Sequence, residues 1–95
     1  MTSRAKYGGS NTKDKVWALA AIIGGKDPNT HRQDPYGNVM YKASYGQATP
    51  MGWEIDHIIP PSRGGSDDII NLQALNTSVN RSKGNSLVKK SRHDQ

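Results

Sequence analysis

Apolar positions along this chain fall into three short groups, set apart by polar stretches rich in glycine and proline. In the first group Val16, Leu19, Ala20 and Ile23 recur at helical spacing behind Asn11 or Thr12 as a cap, and Gly24-Gly25 follow. That pattern predicts one amphipathic helix running from near Lys13 to the glycine pair. Residues 26–52 hold Pro28, Pro35 and Pro50 and read as a connector, in which Asp34-Pro-Tyr-Gly-Asn38 signals a turn, residues 39–42 a short strand, and Tyr45-Gly46 a second turn. From Trp53 to Ile58 the two-residue strand period puts Trp53, Ile55 and His57 on one face, with Glu54 and Asp56 on the other. Twist at the strand end is then needed to bring Asp56 and His57 to one site. Pro60-Pro61 stiffen the exit from His57, Gly64-Gly65 permit a tight reversal, and Ser66 or Asp67 can cap a helical turn before Asn71 opens a second strand. Asn76 or Thr77 begins a last, polar helix of about two turns that Gly84 ends. On it Asn76, Asn80 and Lys83 share one face, while Val79 can pack with Leu72 and Leu75. The fold class expected is α+β: an N-terminal helix, a β-hairpin, then strand, loop, strand and helix.

Composition narrows this to one domain. Ninety-five residues are enough for a single core, and catalysis and binding must share it. Hydrophobic residues make up 33% of the chain and Phe is absent, so the core is expected to rest on Trp17, Trp53, the four Tyr and the aliphatic set. With no Cys, disulfides and thiolate metal sites are excluded. Residues 1–10 lack the apolar stretch of a secretory signal, and the run at 16–23 is far short of the roughly 20 residues of a membrane span. A soluble, intracellular protein is expected, with residues 1–10 and 86–95 as loose basic tails. The formal net charge of +5 is unevenly spread: +4 over residues 1–26, −3 over 27–68 and +4 over 69–95. Basic flanks around an acidic middle suit a polyanion lying across a centre whose carboxylates need a divalent cation before they tolerate phosphate, although solvated basic ends would look the same.

The candidate chemistry lies in residues 53–84. Phosphodiester hydrolysis needs a base for the attacking water, a cation for the phosphoryl charge, and groups that position both. Histidine suits the first task because its ordinary pKa of about 6.5 leaves it largely neutral at pH 7. Asp56 supplies a hard carboxylate and Asn80 a neutral carbonyl oxygen, which fits an open magnesium site of one or two protein oxygens. Taken alone, Asn80 is an ordinary helix residue and Asn71 a turn residue before Leu72.

The run Glu54-Ile-Asp-His through Gly64-Gly65, Asn71-Leu72 and Asn80-Arg-Ser-Lys-Gly84 resembles the HNH nuclease motif, whose fold is the ββα-metal finger, with its three named positions at His57, Asn71 and Asn80. The third is Asn where the name has His. The Asp-x-Tyr-Gly-Asn hairpin, Tyr45-Gly46 and Gly52-Trp-Glu-Ile-Asp-His are similar to the leader of a group of small single-domain HNH proteins. The resemblance implies His57 as general base, Asp56 and Asn80 as ligands of one divalent ion, and Asn71 as the clamp that fixes the loop and His57. It implies 5′-phosphate and 3′-hydroxyl products. Many relatives hold a structural zinc with Cys pairs; Asn76 and Val79 stand near such positions here, so no structural zinc is expected.

Mg²⁺ is the expected ion, with Mn²⁺ or Ni²⁺ as substitutes. Double-stranded DNA is the expected partner, held by phosphate contacts. Lys83 and then Arg81 are the foremost phosphate-contact candidates, Arg63 at the loop tip meets phosphate or solvent, and the tail cations Lys89, Lys90 and Arg92 are expected to be nonspecific and mobile. Arg32, Tyr36, Tyr41 and Lys42 read as surface hairpin residues in preference to nucleic-acid contacts, and His31 as solvated. Asp67 and Asp68 read as loop and cap residues. Weak sequence preference, nicking and a monomer are expected. A noncatalytic DNA-binding module on the same scaffold and a toxin's nuclease domain are the alternatives.

Overall fold

The computed structural model describes residues 10–83 and 90–94, an α+β arrangement of two small antiparallel sheets and two helices. Helix α1, Ser10–Ala18, buries Val16 and Trp17. It starts earlier and stops sooner than the apolar spacing predicts. Leu19 and Ala20 close it with turn bonds to the carbonyls of Val16 and Trp17, and the chain then extends as strand β1, Ala21–Ile22. The cause is Arg32, whose guanidinium donates to the carbonyls of Ala18 and Ala20 at 3.0 Å each. Those carbonyls would otherwise have waited for a further helical turn. The β-branched Ile22 suits the strand that results. Leu19 is therefore 44% exposed instead of lying on a buried helix face.

Strands β1, β2 (His31–Gln33) and β3 (Val39–Tyr41) form the first sheet in that order. β2 carries no apolar residue and gave no strand signal. The turn between β2 and β3 is the Asp34–Asn38 turn read from the sequence, and its organiser is the buried Asp34 carboxylate. Oδ1 accepts the backbone N–H groups of Tyr36 and Asn38 at 2.9 Å each, and Oδ2 accepts that of Asn76 at 3.0 Å. One side chain thus shapes the hairpin and ties it to the second sheet.

That second sheet pairs β4 (Trp53–His57) with β5 (Leu72–Asn76), from Trp53 opposite Asn76 to His57 opposite Leu72. Helix α2, Thr77–Lys83, follows β5 without a loop. These three elements have the ββα order expected of residues 53–84. The core between the sheets and α1 comprises Val16, Trp17, Met40, Trp53, Ile55, Leu72 and Ala74. Trp53 is its centre, with ring centroids 5.1 Å from Trp17 and 4.9 Å from Tyr45.

Tyrosine contributes less to the core than composition suggested. Tyr45 packs against it, but Tyr36 accepts a bond from the backbone of Lys90 and Tyr41 lies exposed beside His31. The polar hairpin candidates also have internal work: Arg32 as above, and Lys42 in an ion pair with Asp14 of α1 at 3.1 Å. The expectation of a loose tail over 86–95 is corrected for residues 90–94. Arg92 donates to the carbonyls of Ile69, Ile70 and Leu72, and Ser91 is buried, so this segment straps the start of β5. Burial lowers the Arg92 guanidinium from its ordinary pKa. Residues 1–9, the cap at Gly84 and Lys89 lie outside the described residues.

Candidate active site

β4 delivers three polar side chains to the site: Glu54 and Asp56, two residues apart on one face, and His57 at its end. Glu54 and Asp56 share one face and are buried, 5% and 6% exposed, a position that carboxylates tolerate only with partners. Gln73, directly across the ladder from Asp56, donates Nε2 to Asp56 Oδ2 at 3.3 Å. Gln73 is itself held by the C-terminal strap, donating to the Lys90 carbonyl at 3.0 Å and accepting from Arg92 N–H at 2.9 Å. Glu54 accepts Asn80 Nδ2 at Oε1 and the Arg81 guanidinium at Oε2, both at 3.0 Å. Helix α2 therefore lies over the carboxylate face of β4.

Asn76 does not share a polar face with Asn80. It ends β5 fully buried, donates to the carbonyls of Pro50 (2.9 Å) and Val39 (3.4 Å), and accepts the N–H of Ser78 at 3.1 Å as the cap of α2. That anchoring fixes the helix by packing and hydrogen bonds. Asn80, one turn on, points its amide nitrogen at Glu54, so its Oδ1 is the atom a cation would take.

His57 closes β4, and its side chain is 14% exposed. The loop that follows turns through a 3₁₀ segment, Pro61–Arg63, into Gly64 at φ 88° and Gly65. A Cβ on Gly65 would fall 1.6 Å from the Ile59 carbonyl oxygen, so only glycine lets the two limbs of the loop meet. Asn71 locks them there. Its Oδ1 accepts Ile59 N–H at 2.9 Å, and its Nδ2 donates to the carbonyls of Ile59 (3.1 Å) and Ser66 (2.7 Å). Asn71 itself ends a 3₁₀ turn, Ile69–Asn71, and β5 opens one residue later than the sequence suggested. Within this clamped loop Asp67 Oδ1 stands 2.7 Å from His57 Nε2.

The site thus has two parts on one strand: His57 with the loop carboxylate, and the opposite face, where Asp56 meets Gln73 and Glu54 meets Asn80 and Arg81 of α2. Sequence reasoning set Asp67 aside as a loop residue and did not weigh Glu54 or Gln73. A signal existed for Glu54, two residues before Asp56 on the same strand face, but none for Asp67, which reaches His57 across an irregular loop. Arg63 is exposed at the loop tip, Arg81 is half exposed while paired with Glu54, and the Lys83 side chain lies outside the described residues. Among the described residues no three His, Asp or Glu side chains converge as a metal cage. In donor chemistry Asp56 and Asn80 each carry a hard oxygen of the kind taken by a cation that keeps most of its waters. Among the described residues, no helix is long and apolar enough to cross a membrane.

Compared with known proteins, residues 43–86 match the family model described as HNH endonuclease. No curated protein and no solved structure matches.

Proposed function

Residues 43–86 belong to the HNH endonuclease family, and from that membership we propose that the protein is an endonuclease hydrolysing DNA phosphodiester bonds with one divalent cation, Mg²⁺ being the expected ion. The observation that carries the reading is the end of β4, where a histidine held by a clamped loop adjoins a strand face bearing buried carboxylates and the Asn80 amide. In this reading His57 accepts the proton of the attacking water, which displaces the leaving oxygen in line and gives 5′-phosphate and 3′-hydroxyl ends. Asn71 acts by holding the loop limbs at Ile59 and Ser66, which keeps His57 from swinging into solvent. Asp56 and Asn80 would hold the cation, which when bound stabilises charge on the phosphoryl group. Arg63, Arg81 and Lys83 supply phosphate contacts that position the duplex without reading its bases. Weak sequence preference follows.

Incubation with supercoiled plasmid, in Mg²⁺ and in excess EDTA, tests this reading. Cleavage is expected with Mg²⁺, Mn²⁺ or Ni²⁺ and none with chelator. Undiminished cleavage in EDTA would sink the metal-dependent mechanism, and binding without cleavage in every ion would leave a DNA-binding module in its place.

A further inference from the structure

We propose that Asp67 is a positioning residue that selects the tautomer of His57 and so determines which ring nitrogen serves as the base; this rests on His57 being the general base. The contact is 2.7 Å from Asp67 Oδ1 to His57 Nε2. An ionised carboxylate can only accept, so the hydrogen between them belongs to Nε2, and in the neutral ring the lone pair then resides on Nδ1. Without such a partner both neutral tautomers are available, and a fraction of the molecules would present N–H where a lone pair is required.

The loop supports this assignment over a capping role. The N-cap position of the 3₁₀ turn Ile69–Asn71 is Asp68, which makes no side-chain cap bond and whose own N–H is taken by Ser66 Oγ at 3.3 Å, so Asp67 does not stand at the cap position. The residue before Asp67 is pinned by Asn71 Nδ2 at the Ser66 carbonyl, 2.7 Å away. The carboxylate is thus placed by a rigid chain of contacts from Asn71 through Ser66 to Asp67 and on to His57. Asp67 is also 44% exposed at its side chain, so replacing it removes an interaction without opening a cavity in the core.

Two measurements on the full chain test the idea. The first is imidazole ¹⁵N NMR of the metal-free protein, under conditions where His57 is neutral. It should show the Nε2–H form of His57 in the native chain and a mixture of tautomers in Asp67→Ala, with the thermal melting curve little changed. The second is plasmid cleavage, where Asp67→Ala should lower kcat by about 10–100-fold with KM for DNA nearly constant. Formate, small enough to occupy the space left by the half-exposed Asp67 carboxylate, should restore part of the rate to Asp67→Ala and none to His57→Ala. An Nδ1–H tautomer in the native chain, a native kcat in Asp67→Ala, or a change confined to KM would each overturn the assignment. Failure of the native protein to cut DNA would overturn the proposed function instead, and the NMR result would still decide the tautomer.

Discussion

His57 and Asp56 are neighbours in sequence that point to opposite sides of β4, and their substitutions should separate accordingly. His57→Ala should lower turnover by roughly 10²–10⁴-fold, the usual range for a lost general base. Its affinity for metal should stay close to native, because the histidine is paired with a loop carboxylate and the oxygen donors lie on the other face of the strand. Asp56→Ala should lose metal affinity as well as rate. Calorimetric titration of both variants with Mn²⁺ decides between these roles, and equal loss of affinity in His57→Ala would make His57 a ligand. At this scale strand period placed Asp56 and His57, whereas Asn71 and Asn80, ordinary turn and helix residues by pattern, stood out only through the resemblance to the HNH motif. Asp67, Glu54 and Arg32 were not legible, because each acts through a partner supplied by an irregular loop or by a distant carbonyl. A polar residue's partner across the fold leaves no period in the chain.

Among the elements, β4, β5 and α2 could be read because apolar alternation, turn residues and caps agreed along one continuous stretch. α1 and the first sheet could be read only in part. The apolar spacing from Val16 to Ile23 fits a helix, yet Arg32 of the polar strand β2 takes the carbonyls at Ala18 and Ala20 and turns the remainder into β1. Tertiary contacts overrode local preference there. The C-terminal strap is a second case: a stretch read as a basic tail contains one arginine whose planar fork reaches three backbone carbonyls. Arg92→Ala should therefore destabilise the protein by about 1–3 kcal/mol, since it removes hydrogen bonds from a charged donor to three backbone carbonyls, two of them part-buried. Urea unfolding should show a lower midpoint at constant slope. The N–H that Gln73 accepts is the Arg92 backbone and survives the substitution, but the strap that carries it would be loosened, so a fall in cleavage rate should accompany the loss of stability. A native midpoint in Arg92→Ala would show that the strap contributes nothing to the fold.

Taken whole, the molecule carries one motif, one His57 and an extent of 37 × 27 × 23 Å. Its long axis matches about 11 base pairs at the 3.4 Å rise of duplex DNA, enough to hold one strand's phosphates at the site. The phosphate facing it on the opposite strand lies across a groove, and one copy of the motif supplies one active site. Nicking should therefore precede linearisation on supercoiled plasmid, with open circles accumulating before linear product. Higher salt should slow the reaction, because phosphate contacts are the expected source of affinity. The competing arrangement is a dimer that sets two sites on opposite strands. The first sheet offers it a route, since β1 is an edge strand with Ile22 59% exposed and Leu19 nearby at 44%. Such a dimer would give linear product without open circles at a rate second order in protein, and Ile22→Lys would then return the reaction to nicking. For the monomer, the rate of nicking is first order in protein and Ile22→Lys leaves it unchanged.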